Sequence, residues 1–139
     1  MESDLIYRDV SYTINGILFE VHNELGRYRN ELQYADAIEG RLKERGISYE
    51  RERVLDPAFA SERPGRNRVD FLIADAIIIE VKSKSIISRE DYYQTLRYLV
   101  ALNCKLGILV NFRQRLLTPK RVINPKAPVR RIRVSASSA

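Results

Sequence analysis

RVDFLIADAIIIEVKSK, residues 68–84, contains two apolar runs separated by a short connection at residues 74–76. Isoleucine dominates the second run, which is typical of a buried β-strand. Asp70, Glu80 and Lys82 lie near the ends of these runs. Because a buried carboxylate is costly unless something pairs with it, charges at these positions indicate a function beyond packing.

The spacing in this segment predicts that the charged side chains meet. Side chains alternate along a strand, so Glu80 and Lys82 share one face. If residues 74–76 form a three-residue hairpin loop, Asp70 lies directly opposite Glu80, on the same side of the sheet. A two-residue loop would turn Glu80 to the other face, so the prediction depends on the register of the hairpin.

Facing carboxylates predict a cation site. Two ionised carboxylates repel, so either one takes up a proton or a cation lies between them. Such oxygen ligands suit Mg²⁺ or Mn²⁺, which keep coordination positions for water and a phosphate oxygen. A lysine beside them can orient water or offset charge on the phosphate, as hydrolysis of a phosphodiester requires. An ordinary ion pair at an exposed strand end is the simpler alternative for Glu80 and Lys82.

The rest of the chain predicts a mixed α/β fold in the order ααβββαβ. Three consecutive strands indicate antiparallel pairing, and a helix between Lys82 and Lys105 allows the next strand to pair in parallel. Asn30 is the expected N-cap of the second helix, and Ser88 with Asp91 forms a capping-box pattern before the third. The predicted helices are 4–25, about 31–45 and one that follows Ser88; the strands are 47–55, 67–73, 77–83 and 105–110, with one or two more at 122–123 and 129–134.

Charge and composition bound the function. The net charge is +6, and from Arg113 onward there are eight Lys or Arg and no Asp or Glu. Subtracting these eight from the 24 basic residues leaves 16 against 18 acidic residues, so the positive excess is C-terminal. A one-signed basic segment suggests a polyanionic partner, most often nucleic acid, with a solvated tail as the alternative. We expect one domain over residues 1–124 and a basic extension over 125–139, with a disordered tail.

The single cysteine and the N-terminal sequence indicate a cellular location. Cys104 cannot form an internal disulfide, which fits a reducing cytoplasm. Residues 1–4 lack a signal-peptide pattern, and no apolar run is long enough to span a bilayer. We therefore expect a cytoplasmic protein that does not enter a membrane.

The pattern of Asp70 followed by Glu80, Val81 and Lys82 resembles the PD-(D/E)XK nuclease superfamily. Within it, the chain is similar to the small GxxExxY proteins, and this resemblance covers roughly residues 12–112. It implies a restriction-endonuclease-like, three-layer fold with a mixed sheet flanked by helices. The matching phrases, in order, are VHNELG (21–26), NELQYADAI (30–38), RVDFLIADAIIIEVKS (68–83), QTLRYL (94–99) and KLGILVNF (105–112).

The resemblance also implies a role for each matched position. Asp70 and Glu80 correspond to metal-binding carboxylates and Lys82 to the catalytic lysine. The remaining matches are the carbonyl of Val81 as a further metal ligand, Glu31 as a helix acid facing the metal, Gln94 in the catalytic group, and Tyr34 and Tyr98 as supporting residues. The chain departs from the family at Tyr28, where the glycine of the name motif falls, so the loop shape there is open.

The resulting hypothesis is a Mg²⁺- or Mn²⁺-dependent nuclease that hydrolyses phosphodiester bonds, with DNA favoured over RNA as the substrate. Basic residues on either side of the site are candidates for phosphate contacts; they are Arg66, Arg68, Lys84, Arg113 and Arg115. Two alternatives stay open on the same fold: a catalytically inactive nucleic-acid-binding module and a protein-interaction subunit. A homodimer, which would suit cutting of both strands, is also open.

Overall fold

The computed structural model describes residues 7–57, 65 and 67–132. Within these ranges, three helices and five strands follow one another in the predicted order of types. The helices are α1 (Arg8–Leu25), α2 (Glu31–Glu44) and α3 (Arg89–Leu102); the strands are β1 (Tyr49–Val54), β2 (Arg68–Ile73), β3 (Ile77–Lys82), β4 (Leu106–Asn111) and β5 (Lys120–Ile123).

The strands form one mixed sheet in the order β1-β2-β3-β4-β5. β3 and β4 are parallel and every other neighbouring pair is antiparallel, as expected because α3 connects β3 to β4 as a helical crossover. Helices α1 and α2 pack on one face of the sheet, and α3 packs on the other. The three-layer, restriction-endonuclease-like architecture predicted from the sequence is therefore confirmed.

The β2–β3 hairpin has the register that a three-residue loop requires. Ile73 pairs with Ile77, and the Ala76 N–H donates to the Ile73 carbonyl at 2.9 Å. Ala74 and Asp75 both have positive φ, of 50° and 55°. Consecutive left-handed residues twist a tight turn in the sense that the flanking strands need. The register that brings the two site carboxylates together is thus fixed by the turn.

Both predicted helix starts are capped by side chains. The Asn30 side chain accepts from the Gln33 N–H at 2.8 Å, and the Gln33 side chain accepts in return from the Asn30 N–H. Ser88 and Asp91 form the same reciprocal arrangement at α3. Each cap satisfies N–H groups that have no partner within the helix. No helix in the described part of the chain is both long and apolar enough to cross a membrane.

The C-terminal segment differs from its prediction. Residues 129–132 form no strand, and residues 133–134 lie outside the described part of the chain. The Arg130 N–H donates to the Tyr7 hydroxyl at 2.6 Å rather than to a neighbouring strand, and its guanidinium donates to the Asp75 and Asn103 carbonyls. This anchoring explains why a β-prone sequence does not join the sheet. It also places Arg130 beside the β2–β3 turn, at the opposite end of β3 from Lys82.

Gly107 on β4 packs closely against α3. A Cβ built at Gly107 would lie 2.9 Å from Thr95 Cγ2 and 3.4 Å from Leu99 Cδ1. Thr95 is fully buried, and its hydroxyl donates to the Asp91 carbonyl, so it cannot move aside freely. A side chain at position 107 would therefore push α3 off the sheet.

Gly107→Ala is expected to lower the free energy of unfolding by about 1–3 kcal/mol, because overpacking at a stiff contact displaces α3. Urea unfolding measures the effect. Gly40→Ala is the matched control, since a Cβ at Gly40 on α2 meets nothing within 4 Å and alanine is the better helix former. An unchanged stability of Gly107→Ala would show that the layers separate without cost.

Candidate active site

The site forms where β2 and β3 stop pairing through their main chains. The last regular pair is Phe71 with Ile79, and the same register continues to Asp70 and Glu80. There the Asp70 N–H donates to Glu80 Oε1 at 3.3 Å, and the Val81 N–H donates to Asp70 Oδ2 at 2.7 Å. Side-chain carboxylates thus take the acceptor positions that carbonyls hold elsewhere in the hairpin. The predicted juxtaposition of Asp70 and Glu80 is present.

The pKa values of both carboxyl groups are raised. Burial raises the pKa of Glu80 well above its ordinary value, and the negative charge of Asp70 raises it further, against the opposing effect of Lys82. Only 3% of Glu80 is exposed. Burial also raises the pKa of Asp70, while the hydrogen bond from the Val81 N–H opposes that shift. When both groups are ionised they repel each other, so a cation bound between them would stabilise the pair.

Lys82 faces the same side of the sheet as the carboxylates and lies beneath α3. Its Nζ lies 3.5 Å from Gln94 Oε1 and 3.9 Å from Asp91 Oδ1. Lys84 Nζ pairs more closely with Asp91, at 2.5 Å from Oδ2. Burial alone would raise the pKa of Asp91, but hydrogen bonds from Lys84 and Ser88 outweigh it and lower that pKa. Asp91 therefore stays charged and holds both lysines at the site.

The donor set fits an ion that binds few protein ligands. Within the described residues, no group of three or more His, Cys, Asp or Glu side chains lies close enough to hold a metal. Glu31, predicted to face the metal, is exposed at the start of α2 and does not join Asp70 and Glu80 in such a group. Two carboxylates still suffice for Mg²⁺, which commonly keeps several waters and binds through one or two carboxylates plus substrate phosphate.

Tyr34 and Tyr98 are both buried, one on each side of the sheet. The Tyr34 ring stacks on Phe112 with a centroid distance of 4.2 Å. Its hydroxyl donates to the Gly26 carbonyl at 2.5 Å and accepts from the Arg29 N–H at 3.2 Å. Tyr34 therefore fixes the loop between α1 and α2.

Tyr34→Phe is expected to cost about 1–2 kcal/mol of unfolding free energy, because the Gly26 carbonyl and the Arg29 N–H lose a buried partner while the stacking remains. Thermal unfolding measures this loss. Tyr12→Phe is the control, since Tyr12 is 81% exposed. Equal stabilities for the two variants would remove the positioning role of the Tyr34 hydroxyl.

Three loops meet beyond the ends of β3 and β4. The Asn111 side chain accepts from the Lys84 N–H at 3.1 Å and donates to the Lys84 carbonyl at 2.7 Å. The Ser83 hydroxyl donates to the Arg29 carbonyl at 2.8 Å, which joins the α1–α2 loop to the same edge. Arg113, two residues after Asn111, also contacts this side chain, since the Arg113 N–H donates to Asn111 Oδ1 at 3.2 Å.

The other residues predicted to contact phosphate are not linked to these loops by the hydrogen bonds of Asn111 and Ser83. Arg68 is exposed on β2, where its Nε donates to the Gly65 carbonyl, and Arg115 is exposed on the loop after β4. Arg66 lies outside the described residues. Their roles stay predictions.

Sequence reasoning missed two acidic residues near the site. The sequence pattern indicates only a capping role for Asp91, although two lysines, seven and nine residues before it, are a signal of a second function. Glu52 on β1 has a positive φ of 55° and interrupts the pairing of β1 with β2 opposite Asp70. Its negative charge contributes to the raised pKa of Asp70. No sequence signal indicated that backbone conformation.

The architecture and the paired carboxylates define an α/β protein built like a restriction endonuclease, with a lysine beside an acidic pair. The chain belongs to the PD-(D/E)XK nuclease superfamily, since a family model for that superfamily matches residues 8–123. This membership supports a nuclease-type function in general. Neither the comparison with curated proteins nor the comparison with solved structures gives a match.

Proposed function

We propose that the chain is a divalent-metal-dependent nuclease of the GxxExxY type, with DNA as its substrate and Mg²⁺ or Mn²⁺ as its cofactor. The observation that carries the proposal is the contact between half-buried Asp70 and buried Glu80, two carboxylates of raised pKa, with Lys82 two residues further along β3 on the same face. A site kept only for stability would gain from an uncharged pair at these positions.

The residues divide the chemistry among them. Asp70 and Glu80 would hold the ion, and the Val81 carbonyl is the proposed further ligand. When bound, a divalent ion polarises the phosphoryl group and lowers the pKa of a water. Lys82 would orient the attacking water or neutralise charge that develops on the phosphate oxygens. Hydrolysis forms one P–O bond from water and breaks another, which leaves a phosphomonoester and a hydroxyl.

Helix α3 would position the ammonium group. Gln94 Oε1 lies within hydrogen-bond reach of Lys82 Nζ, and Asp91 limits its movement from the other side. An ammonium held between two acceptors loses less freedom when the transition state forms. Gln94 is therefore proposed as part of the catalytic group, and Glu31, exposed at the start of α2, as the helix acid of the metal site.

A cleavage assay tests the proposal. Labelled single- and double-stranded DNA and RNA are incubated with the protein in Mg²⁺, in Mn²⁺ and in EDTA, beside the Asp70→Asn variant. Metal-dependent cutting of DNA that this variant lacks is the expected result. If the wild-type protein binds nucleic acid in a salt-dependent way but never cuts any of these substrates, the chain is a non-catalytic binding module instead.

A further inference from the structure

Two arginines from distant parts of the chain share one exposed tyrosine ring. The Arg27 guanidinium carbon lies 5.1 Å from the Tyr28 ring centroid, and that of Arg113 lies 5.6 Å from it. The two arginines also bond reciprocally: Arg27 Nε donates to the Arg113 carbonyl at 2.9 Å, and Arg113 Nε donates to the Arg27 carbonyl at 3.1 Å. We call Arg27, Tyr28 and Arg113 the arginine–tyrosine cluster.

The cluster carries two positive charges that no acidic side chain among the described residues neutralises. Within the described residues, neither Arg27 nor Arg113 forms an ion pair, and their Nη atoms have no hydrogen-bond partner. Like charges held this close repel, and the tyrosine ring offsets only part of that cost. The arginines at the C-terminal end of α2 differ, because Arg41 and Arg45 both form ion pairs with Glu20. Binding of an anion from another molecule would therefore relieve the repulsion within the arginine–tyrosine cluster.

The cluster lies beyond the carboxyl ends of β3 and β4, the same end of the sheet as the candidate active site. Arg113 follows Asn111, which pairs with Lys82 across β3 and β4. The Arg113 N–H donates to the Asn111 side chain, and that side chain also holds the main chain of Lys84. A strand whose scissile phosphate lies at Lys82 would thus continue past the cluster.

We propose that the arginine–tyrosine cluster binds a backbone phosphate of the substrate strand, a short distance from the scissile phosphate. Guanidinium groups suit this contact because their paired N–H donors match the geometry of phosphate oxygens. The inference rests on the proposed nuclease function and adds Arg27 and Tyr28 to the substrate-contacting residues. It also assigns a purpose to Tyr28, which replaces the glycine expected from the resemblance to GxxExxY proteins.

Tyr28 organises the cluster from an exposed position. Three quarters of its surface is open to solvent, so its ring is held in place by the two guanidiniums rather than by the core. In turn, the ring keeps both guanidinium planes at one place on the surface. Tyr28→Gly should therefore weaken phosphate binding while leaving both positive charges in the protein.

Binding in EDTA tests the cluster independently of cleavage. Fluorescence polarisation of a labelled DNA oligonucleotide is followed over a range of salt concentrations for the wild type and the Arg27→Gln/Arg113→Gln variant. We expect the double variant to lose about tenfold in affinity, and the slope of log K against log salt to shrink by more than one. Arg41→Gln/Arg45→Gln removes the same charge where acids already neutralise it, and is expected to change neither.

A structural role for the reciprocal bonds predicts a different result. Arg27→Lys/Arg113→Lys keeps the charges but loses the Nε bonds to the two carbonyls. If this variant keeps the wild-type salt slope, the charges contact phosphate. If it loses as much affinity and slope as the glutamine variant, the two arginines only hold the two loops together, and the inference is wrong. Inorganic phosphate, added at a concentration equal to that of the oligonucleotide's phosphate groups, should not displace the oligonucleotide. Displacement would show that the site binds free phosphate instead.

Failure of this inference and failure of the proposed function give different results. A wild type that cuts DNA, together with glutamine variants that bind DNA as tightly as it does, would overturn the cluster's role alone. A wild type that never cuts, but binds through Arg27 and Arg113 as described, would overturn only the nuclease proposal.

Discussion

Lys82→Ala is expected to reduce metal-dependent DNA cleavage by roughly 10³-fold, the range measured when one electrostatic stabiliser of a transition state is removed. The cause is local, since Lys82 Nζ is the ammonium group beside Asp70 and Glu80 and is held by Gln94. The loss should appear in kcat more than in KM, because the interaction strengthens as charge develops on the phosphate. Single-turnover cleavage measures it.

Lys105→Ala is the matched control for this experiment. Lys105 precedes β4 at the opposite edge of the sheet, where its Nζ donates to the Pro125 carbonyl at 3.0 Å. It removes one positive charge from the protein without touching the candidate site, so full activity is expected. Cleavage by Lys82→Ala at the wild-type rate would show that the acidic pair acts without this lysine.

Glu80→Gln is expected to abolish cleavage and, in the metal-free protein, to raise the melting temperature at pH 8 by roughly 3–8 °C. Because burial and the charge of Asp70 raise the pKa of Glu80 above its ordinary value of 4.5, the folded protein binds a proton that the unfolded chain has released. The stability linked to this group is fully present below pH 4.5 and is lost as the pH rises through the folded pKa. Glutamine carries no charge to lose.

The difference between Glu80→Gln and the wild type isolates this group from all others. The two melting temperatures should be close at pH 5 and should separate as the pH increases. Mn²⁺ should raise the melting temperature of the wild type at pH 8 and leave that of the variant unchanged, since a ligand stabilises only the state that binds it. Glu50→Gln alters an exposed carboxylate on β1 and controls for the chemical change. An equal Mn²⁺ effect in both proteins would place the ion elsewhere.

Much of the fold follows from local sequence. The isoleucine-rich run, the three-residue turn and the capping pattern at Ser88 each involve residues close together in the chain. The contact between Asp70 and Glu80 was predictable for the same reason, since they lie ten residues apart on one hairpin. Once the loop length is known, alternation determines which side chains share a face.

Contacts between distant segments could not be predicted in this way. Arg27 and Arg113 are separated by 86 positions, and nothing in either segment indicates that one tyrosine receives both. The strand expected at 129–134 was wrong over its described part, because partners such as Tyr7 lie at the other end of the chain. The exposed position of Glu31 likewise depends on how the start of α2 docks, which residue types do not encode.

Both edge strands oppose growth of the sheet into an intermolecular assembly. β1 alternates acidic and basic residues along YERERV, and its backbone is distorted at Glu52. β5 spans only four residues and begins with Lys120 and Arg121. Charge, irregularity and short length are devices that keep an open edge from templating a neighbouring chain. We therefore expect any self-association to use helices or loops and to leave amyloid-like stacking disfavoured.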